Sequence, residues 1–81
     1  MSRQHHYLKT ETEYFQAVGR GEKKFELRKN DRDFKKYDML ILEETVKGVK
    51  TGRKLAPVEI QYVLKDCLKY GLCDGYCILN W

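Results

Sequence analysis

The alternation of apolar and polar positions predicts a domain built from short strands. The clearest period-two pattern runs from Lys24 to Arg28, and we expect it to direct Phe25 and Leu27 to the core and the charged residues outward. Four further segments predict strands on the same grounds: 6–9, 39–42, 58–64 and 76–81. About five strands are therefore expected.

One early helix is expected between the first two strands. Thr10 and Glu13 have the spacing of a capping box, and apolar residues then recur at helical spacing as far as Val18. Gly19 and Gly21 supply residues that can end the helix in the left-handed conformation. With no repeating βαβ pattern, these elements favour an α+β fold, a small mixed β-barrel, over a parallel sheet.

The length and composition indicate one intracellular domain. The 81 residues are too few for two hydrophobic cores, so a single domain over 1–81 is expected. No apolar run is long enough to span a membrane, and the first residues do not resemble a signal peptide. Three cysteines, an odd number, favour free thiols and a cytoplasmic location. A monomer is the expected state.

The positive charge is concentrated in one part of the chain. Residues 20–36 contain eight basic and four acidic side chains, so this segment carries the whole formal excess of +4. A local basic concentration fits an anionic partner, most commonly nucleic acid. A solvated surface of mixed charge is the simpler interpretation of the charge run alone.

The strand at 24–28 also carries the candidate chemistry. Glu26 and Arg28 share one face, about 7 Å apart along the strand. Arginine offers a planar fork of donors for phosphate or a base edge, and glutamate accepts hydrogen bonds from an amine or a ribose hydroxyl. Lys23 has the opposite parity, so it joins them only if the strand begins later or contains a bulge. From spacing alone, a surface ion pair remains the simpler interpretation.

Residues 21–28 match the G-x-K-x-x-E-x-R signature of ASCH domains at Gly21, Lys23, Glu26 and Arg28. The flanking segments are similar to a compact ASCH-like subgroup of bacteria and their phages, so the resemblance spans nearly the whole chain. It implies a PUA-like barrel with a cleft beside the signature strand.

The resemblance also implies binding of RNA or a nucleotide-like ligand in that cleft. Lys23, Arg28 and Lys29 would contact phosphate, and Glu26 would contact a base or ribose. His6, at the start of the first strand, is a further candidate. The expected ligand-binding residues are Gly21, Lys23, Glu26, Arg28, Lys29 and His6.

Two other functions stay open. Some small bacterial ASCH proteins hydrolyse N4-acylated cytidine with the signature lysine and a threonine at the position of Glu26. Glutamate cannot replace a hydroxyl nucleophile, but Glu26 could activate water while Lys23 stabilises an oxyanion, which would make the protein a small amidohydrolase. In the third alternative, the basic segment docks an acidic protein.

Other chemistry is not indicated. Cys67, Cys73 and Cys77 lack the paired spacing of zinc sites, and Cys77 fits a core position in its strand. No phosphate-binding loop, serine-hydrolase elbow or dinucleotide fingerprint is present, so no cofactor or metal is expected. Several tyrosines have the chemistry to stack on bases, although most are expected in the core or at a barrel rim: Tyr7, Tyr37, Tyr62, Tyr70 and Tyr76.

Overall fold

A computed structural model describes residues 3–66 and 68–81. The fold is α+β with one early helix, and a short 3₁₀ turn covers Leu68–Tyr70. The helix and strands are β1 (His5–Glu11), α1 (Thr12–Gly19), β2 (Phe25–Lys29), β3 (Met39–Val46), β4 (Val49–Lys54), β5 (Val58–Glu59), β6 (Tyr62–Lys65) and β7 (Tyr76–Asn80).

In the described ranges the strands form two open sheets, and no closed barrel is present. In the first sheet β1 pairs with β3 in parallel, while β4 and β5 pair antiparallel with successive parts of β3. The second sheet is antiparallel in the order β2-β7-β6. The expected single barrel of about five strands is thus replaced by seven strands in two sheets.

The core lies between the two sheets. Leu8, Leu40 and Leu42 project from the first sheet towards Cys77 and Leu79 of the second, and all five are almost fully buried. The helix packs on β1 and β3 and adds a buried phenylalanine to the same cluster. Because residues of both sheets enter one core, neither sheet has a separate hydrophobic centre.

The segment predicted as one strand at 58–64 is divided between the sheets. Val58 and Glu59 pair with β3, whereas Tyr62 begins the pairing with β7. Between them Ile60 is fully buried, and its backbone N–H donates to the carbonyl of Asp38 at 2.9 Å. Ile60 therefore holds the point where the chain crosses from one sheet to the other.

The helix begins later than its capping pattern predicts. Thr10 and Glu11 extend β1 and pair with β3, so the helix starts at Thr12 without a side-chain cap. The Glu11 carboxylate instead accepts hydrogen bonds from the Thr45 hydroxyl and from two backbone N–H groups of the β3–β4 turn. Parallel pairing has overridden the local capping preference.

Replacing Ile60 with alanine should lower the free energy of unfolding by about 2–4 kcal/mol, because it leaves a cavity where the sheets join. Urea unfolding followed by the fluorescence of Trp81, which packs against the core, measures the change. Val49→Ala is the matched control, since Val49 is 69% exposed and its loss should cost less than about 1 kcal/mol. Equal losses in the two variants would contradict the role given to Ile60.

Candidate functional site

Strand β2 alternates as predicted but faces the opposite way. Phe25 and Leu27 are 48% and 56% exposed, whereas Glu26 is buried and Arg28 is half-buried. The cause is the pairing with β7, in which Glu26 lies opposite the fully buried Leu79 and so takes an inward position. The expectation that Phe25 and Leu27 face the core is therefore wrong.

Two cations neutralise the buried carboxylate. The Lys23 ammonium contacts Glu26 Oε1, and Arg28 Nε donates to Glu26 Oε2 at 3.3 Å. The side chain of Glu26 is only 7% exposed, and those of Lys23 and Arg28 are 16% and 26% exposed. A buried carboxylate is strongly unfavourable without such partners. The three groups together carry one net positive charge.

Lys23 reaches Glu26 because β2 begins only at Phe25. Lys23 lies before the strand, so strand parity does not direct its side chain away. Its ammonium also donates to the Phe25 carbonyl at 2.6 Å and lies 4.7 Å from the centroid of the Phe25 ring and 5.6 Å from that of Tyr14. An ammonium has three N–H groups, and these contacts with Glu26 and Phe25 account for two of them.

A cleft of about 370 Å³ lies along the open edge of β2 beside α1. Five residues line this β2 cleft: Tyr14, Lys23, Phe25, Glu26 and Leu27. Its volume falls in the range of small-molecule sites. The cleft thus combines two aromatic rings with the Lys23 ammonium, which lies near both rings, and with the buried Glu26 carboxylate that the ammonium contacts.

Arg28 joins the two sheets instead of lining the β2 cleft. Its Nη2 donates to the backbone carbonyl of Lys9 and approaches Thr10 Oγ1 at 3.4 Å. Arg32, which follows β2, donates to the carbonyl of Tyr7 at 2.8 Å. Both carbonyls belong to β1, an edge strand, so two guanidinium groups span the gap where a closed barrel would have a backbone ladder.

A family model described as a domain of unknown function, DUF3850, matches residues 5–81. This chain belongs to the DUF3850 family. A protein of Escherichia phage P2, described as an uncharacterized 12.9 kDa protein in the GpA 3′ region, is 48% identical over 50 residues. That match covers 62% of this chain and 46% of the phage protein, so the chain spans about half of that relative.

The other candidate residues of this DUF3850 domain lie apart from the Lys23–Glu26 pair. Lys29 is exposed on the face of β2 opposite to Glu26, because odd and even positions of the strand point to opposite faces. Gly21 has φ +77° and ends the helical turn, a conformation that glycine adopts without strain. Neither contributes a side chain to the β2 cleft.

His6 is buried against an aspartate. Its Nε2 lies 3.0 Å from Asp38 Oδ2, and its ring meets Phe34 edge to face. The Asp38 carboxylate also accepts hydrogen bonds at 3.2 Å from the backbone N–H groups of Gln4 and Lys35. These contacts give His6 a structural role between β1 and the start of β3.

Sequence reasoning missed the aromatic half of the cleft. Phe25 was expected in the core and Tyr14 was not among the candidate site residues, yet both rings are about half exposed. A usable signal was present: the resemblance to ASCH domains implied a cleft beside the strand, on the face that carries Glu26 and Arg28. Alternation then sends Phe25 and Leu27 to the opposite face.

The remaining predictions concern cysteines, metals and membranes. Cys77 is fully buried, as expected for a core residue, and burial raises the pKa of its thiol; Cys73 is exposed and both are free. Cys67 and the side chain of Tyr70 lie outside the described part. Within that part, no group of His, Cys, Asp and Glu is arranged to hold a metal. No helix there is long and apolar enough to cross a bilayer.

Asp38 should make the domain less stable in acid. Burial would raise its pKa, but the hydrogen bonds from His6 and the two backbone N–H groups outweigh burial and hold the pKa below its ordinary value. A carboxyl with a lowered folded-state pKa stabilises the fold above about pH 4 and loses this effect as the pH falls through the folded-state value. Asp38→Asn should therefore be less stable than the wild type at pH 7, with the difference shrinking below about pH 4.

Urea unfolding at pH 7, 5, 4 and 3 measures this effect. Asp31→Asn is the control, because Asp31 is exposed in the loop after β2. A deficit of Asp38→Asn that stays constant from pH 7 to pH 3 would contradict the stabilising role of the ionised carboxylate.

Proposed function

We propose that this DUF3850 domain is an ASCH-like member of the PUA-like superfamily that binds RNA or a nucleotide-like ligand in the β2 cleft. The observation that carries the proposal is the position of Lys23, whose ammonium contacts Glu26 at the cleft between two exposed aromatic rings. A nucleotide has an anionic phosphate, a flat base and polar edges. The cleft presents a complementary group for each of them.

The assignment of roles follows from the contacts. Lys23 has one N–H beyond those directed at Glu26 and Phe25, and this donor is assigned to a ligand phosphate. The rings of Tyr14 and Phe25 are assigned to base stacking. Each Glu26 oxygen has a second lone-pair site, which can accept a hydrogen bond from an exocyclic amine or a ribose hydroxyl. A preformed ion pair also lowers the ordering cost of binding.

The signature positions support the ASCH-like part of the proposal. Gly21 ends the helix at positive φ, Lys23 and Glu26 lie at the cleft, and Arg28 connects β2 to β1. In a PUA-like interpretation, the two sheets correspond to a barrel opened between β1 and β2. The guanidinium of Arg28 then serves the architecture and supports the ligand site by holding Glu26.

Replacing Lys23 with methionine should weaken RNA binding, because one phosphate contact is lost. The plot of log K against the logarithm of the salt concentration should become less steep by about 1. Fluorescence anisotropy with a labelled 12-nucleotide RNA of mixed sequence, at several salt concentrations, measures both quantities. Lys50→Met on β4 is the matched control, since it removes the same charge from an exposed site of the other sheet. Equal affinities and slopes for wild type and Lys23→Met would overturn the cleft assignment.

Hydrolysis is the second candidate because Lys23 and Glu26 share the cleft. As a general base Glu26 would have to take a proton from water, which would remove the negative charge that the two cations contact, whereas accepting a hydrogen bond keeps that charge. We therefore expect no turnover of N4-acylated cytidines above the uncatalysed rate, as measured by chromatography of the released cytidine. Turnover by the wild type that disappears in a folded Glu26→Gln variant would instead establish the amidohydrolase.

A further inference from the structure

The second sheet exposes a largely apolar face. The outward positions of its three strands, here called the outer sheet face, are Phe25, Leu27, Lys29, Tyr62, Leu64, Tyr76, Ile78 and Asn80. Tyr62 and Tyr76 are 61% and 41% exposed. The inward positions of the same strands, including Cys77 and Leu79, form the core, so this sheet has apolar residues on both faces.

The outer sheet face is partly exposed: Phe25, Leu27, Tyr62 and Tyr76 are accessible, whereas Leu64 and Ile78 are half-buried. Loop residues 71–73 border it at Leu27 and Tyr76. The helix packs against β1 and β3, on the other sheet. Contiguous exposed apolar surface of this kind is typical of binding sites in soluble proteins. The composition of the face then distinguishes between possible occupants.

The residue composition of the outer sheet face is suited to binding nucleic acid. None of its eight outward positions is acidic, one is a lysine, and three carry aromatic rings. In one row across the sheet, Phe25 and Tyr62 flank Asn80, two strand spacings or roughly 10 Å apart. Aromatic rings on a sheet stack on bases, and the asparagine amide between them can bond to a base edge.

Basic side chains lie at both ends of the second sheet. Lys23 and Lys24 lie at the end where β2 begins, next to the Phe25–Asn80–Tyr62 row. At the opposite end, Lys29 and Lys65 close β2 and β6, and the acidic residues Asp31, Asp66 and Asp74 lie in the adjoining loops. Lys23 is the basic residue that also lines the β2 cleft.

The outer sheet face is continuous with the β2 cleft. Leu27 lines both that cleft and a second depression of about 230 Å³, which is bounded by Tyr76 and by residues 71–73. A strand with one nucleotide in the cleft can thus continue across Leu27 without leaving the apolar surface.

We propose that the outer sheet face is a second nucleotide-stacking surface, on which a single-stranded nucleic acid held in the β2 cleft continues over Tyr62 and Tyr76. This inference rests on the proposed function of the cleft. It specifies the ligand as a single strand several nucleotides long, in contrast to a free nucleotide.

The experiment compares a labelled 12-nucleotide single-stranded RNA of mixed sequence with the four nucleoside monophosphates. The wild type should bind the 12-mer at least tenfold more tightly than any monophosphate. The Tyr62→Leu and Tyr76→Leu variants should each bind the 12-mer about tenfold more weakly, because leucine removes the aromatic ring but keeps the apolar character. Both variants should bind the monophosphates with wild-type affinity. Tyr7→Leu is the control, since Tyr7 is 52% exposed on the other sheet.

The outcomes separate the two proposals. A 12-mer that binds no better than a monophosphate, or unchanged 12-mer affinity in both tyrosine variants, overturns the stacking surface while the cleft assignment stands. If Lys23→Met leaves the affinity for the monophosphates unchanged, the cleft assignment itself is overturned. Sedimentation that shows a wild-type dimer broken by Tyr62→Leu assigns the face to a second copy of the chain and also overturns the stacking surface.

Discussion

The buried carboxylate of Glu26 is the group on which the site and its surroundings depend. Alone it would cost several kcal/mol in desolvation, so Lys23 and Arg28 must each engage one oxygen. Because β2 is pleated, an inward Glu26 also places Arg28 inward, where it reaches β1, and sends Phe25 and Leu27 outward. One charged inward position thus determines the ion-pair cluster, the junction between the sheets and the exposed apolar face.

Local pattern predicted the elements better than their pairing. The early helix and all five predicted strand segments contain regular structure, because periodicity reports what a segment can form. Periodicity does not report which face of a strand is buried, so the facing of β2 was predicted wrongly. It also does not report which partner a strand pairs with, so the crossing between the sheets at Ile60 was missed. Likewise, the predicted helix cap at Thr10 did not form, because Thr10 pairs with β3 in the parallel ladder. Each of these errors concerns contacts between residues distant in sequence.

The candidate site was predictable where residues act through short sequence spacing. The G-x-K-x-x-E-x-R pattern predicted that Lys23 and Glu26 act together, and the structure sets them in contact at one cleft. Lys29 has the opposite parity, and His6 is satisfied by Asp38, a partner 32 residues away that no local pattern indicates. The aromatic lining could not be found while Phe25 was assigned to the core.

The facing of the β2 side chains supports the proposed function. A strand that buries a glutamate and exposes a phenylalanine gives up hydrophobic burial and needs extra ion pairs to compensate, so this facing is unfavourable for an isolated domain. Such local conflicts are expected where a site requires them. Here the two consequences lie side by side: the Lys23–Glu26 pair at the cleft, with Arg28 behind it, and exposed rings on the adjoining face. In the proposed function a nucleotide contacts both, because its phosphate meets the remaining N–H of Lys23 and its base meets the exposed rings.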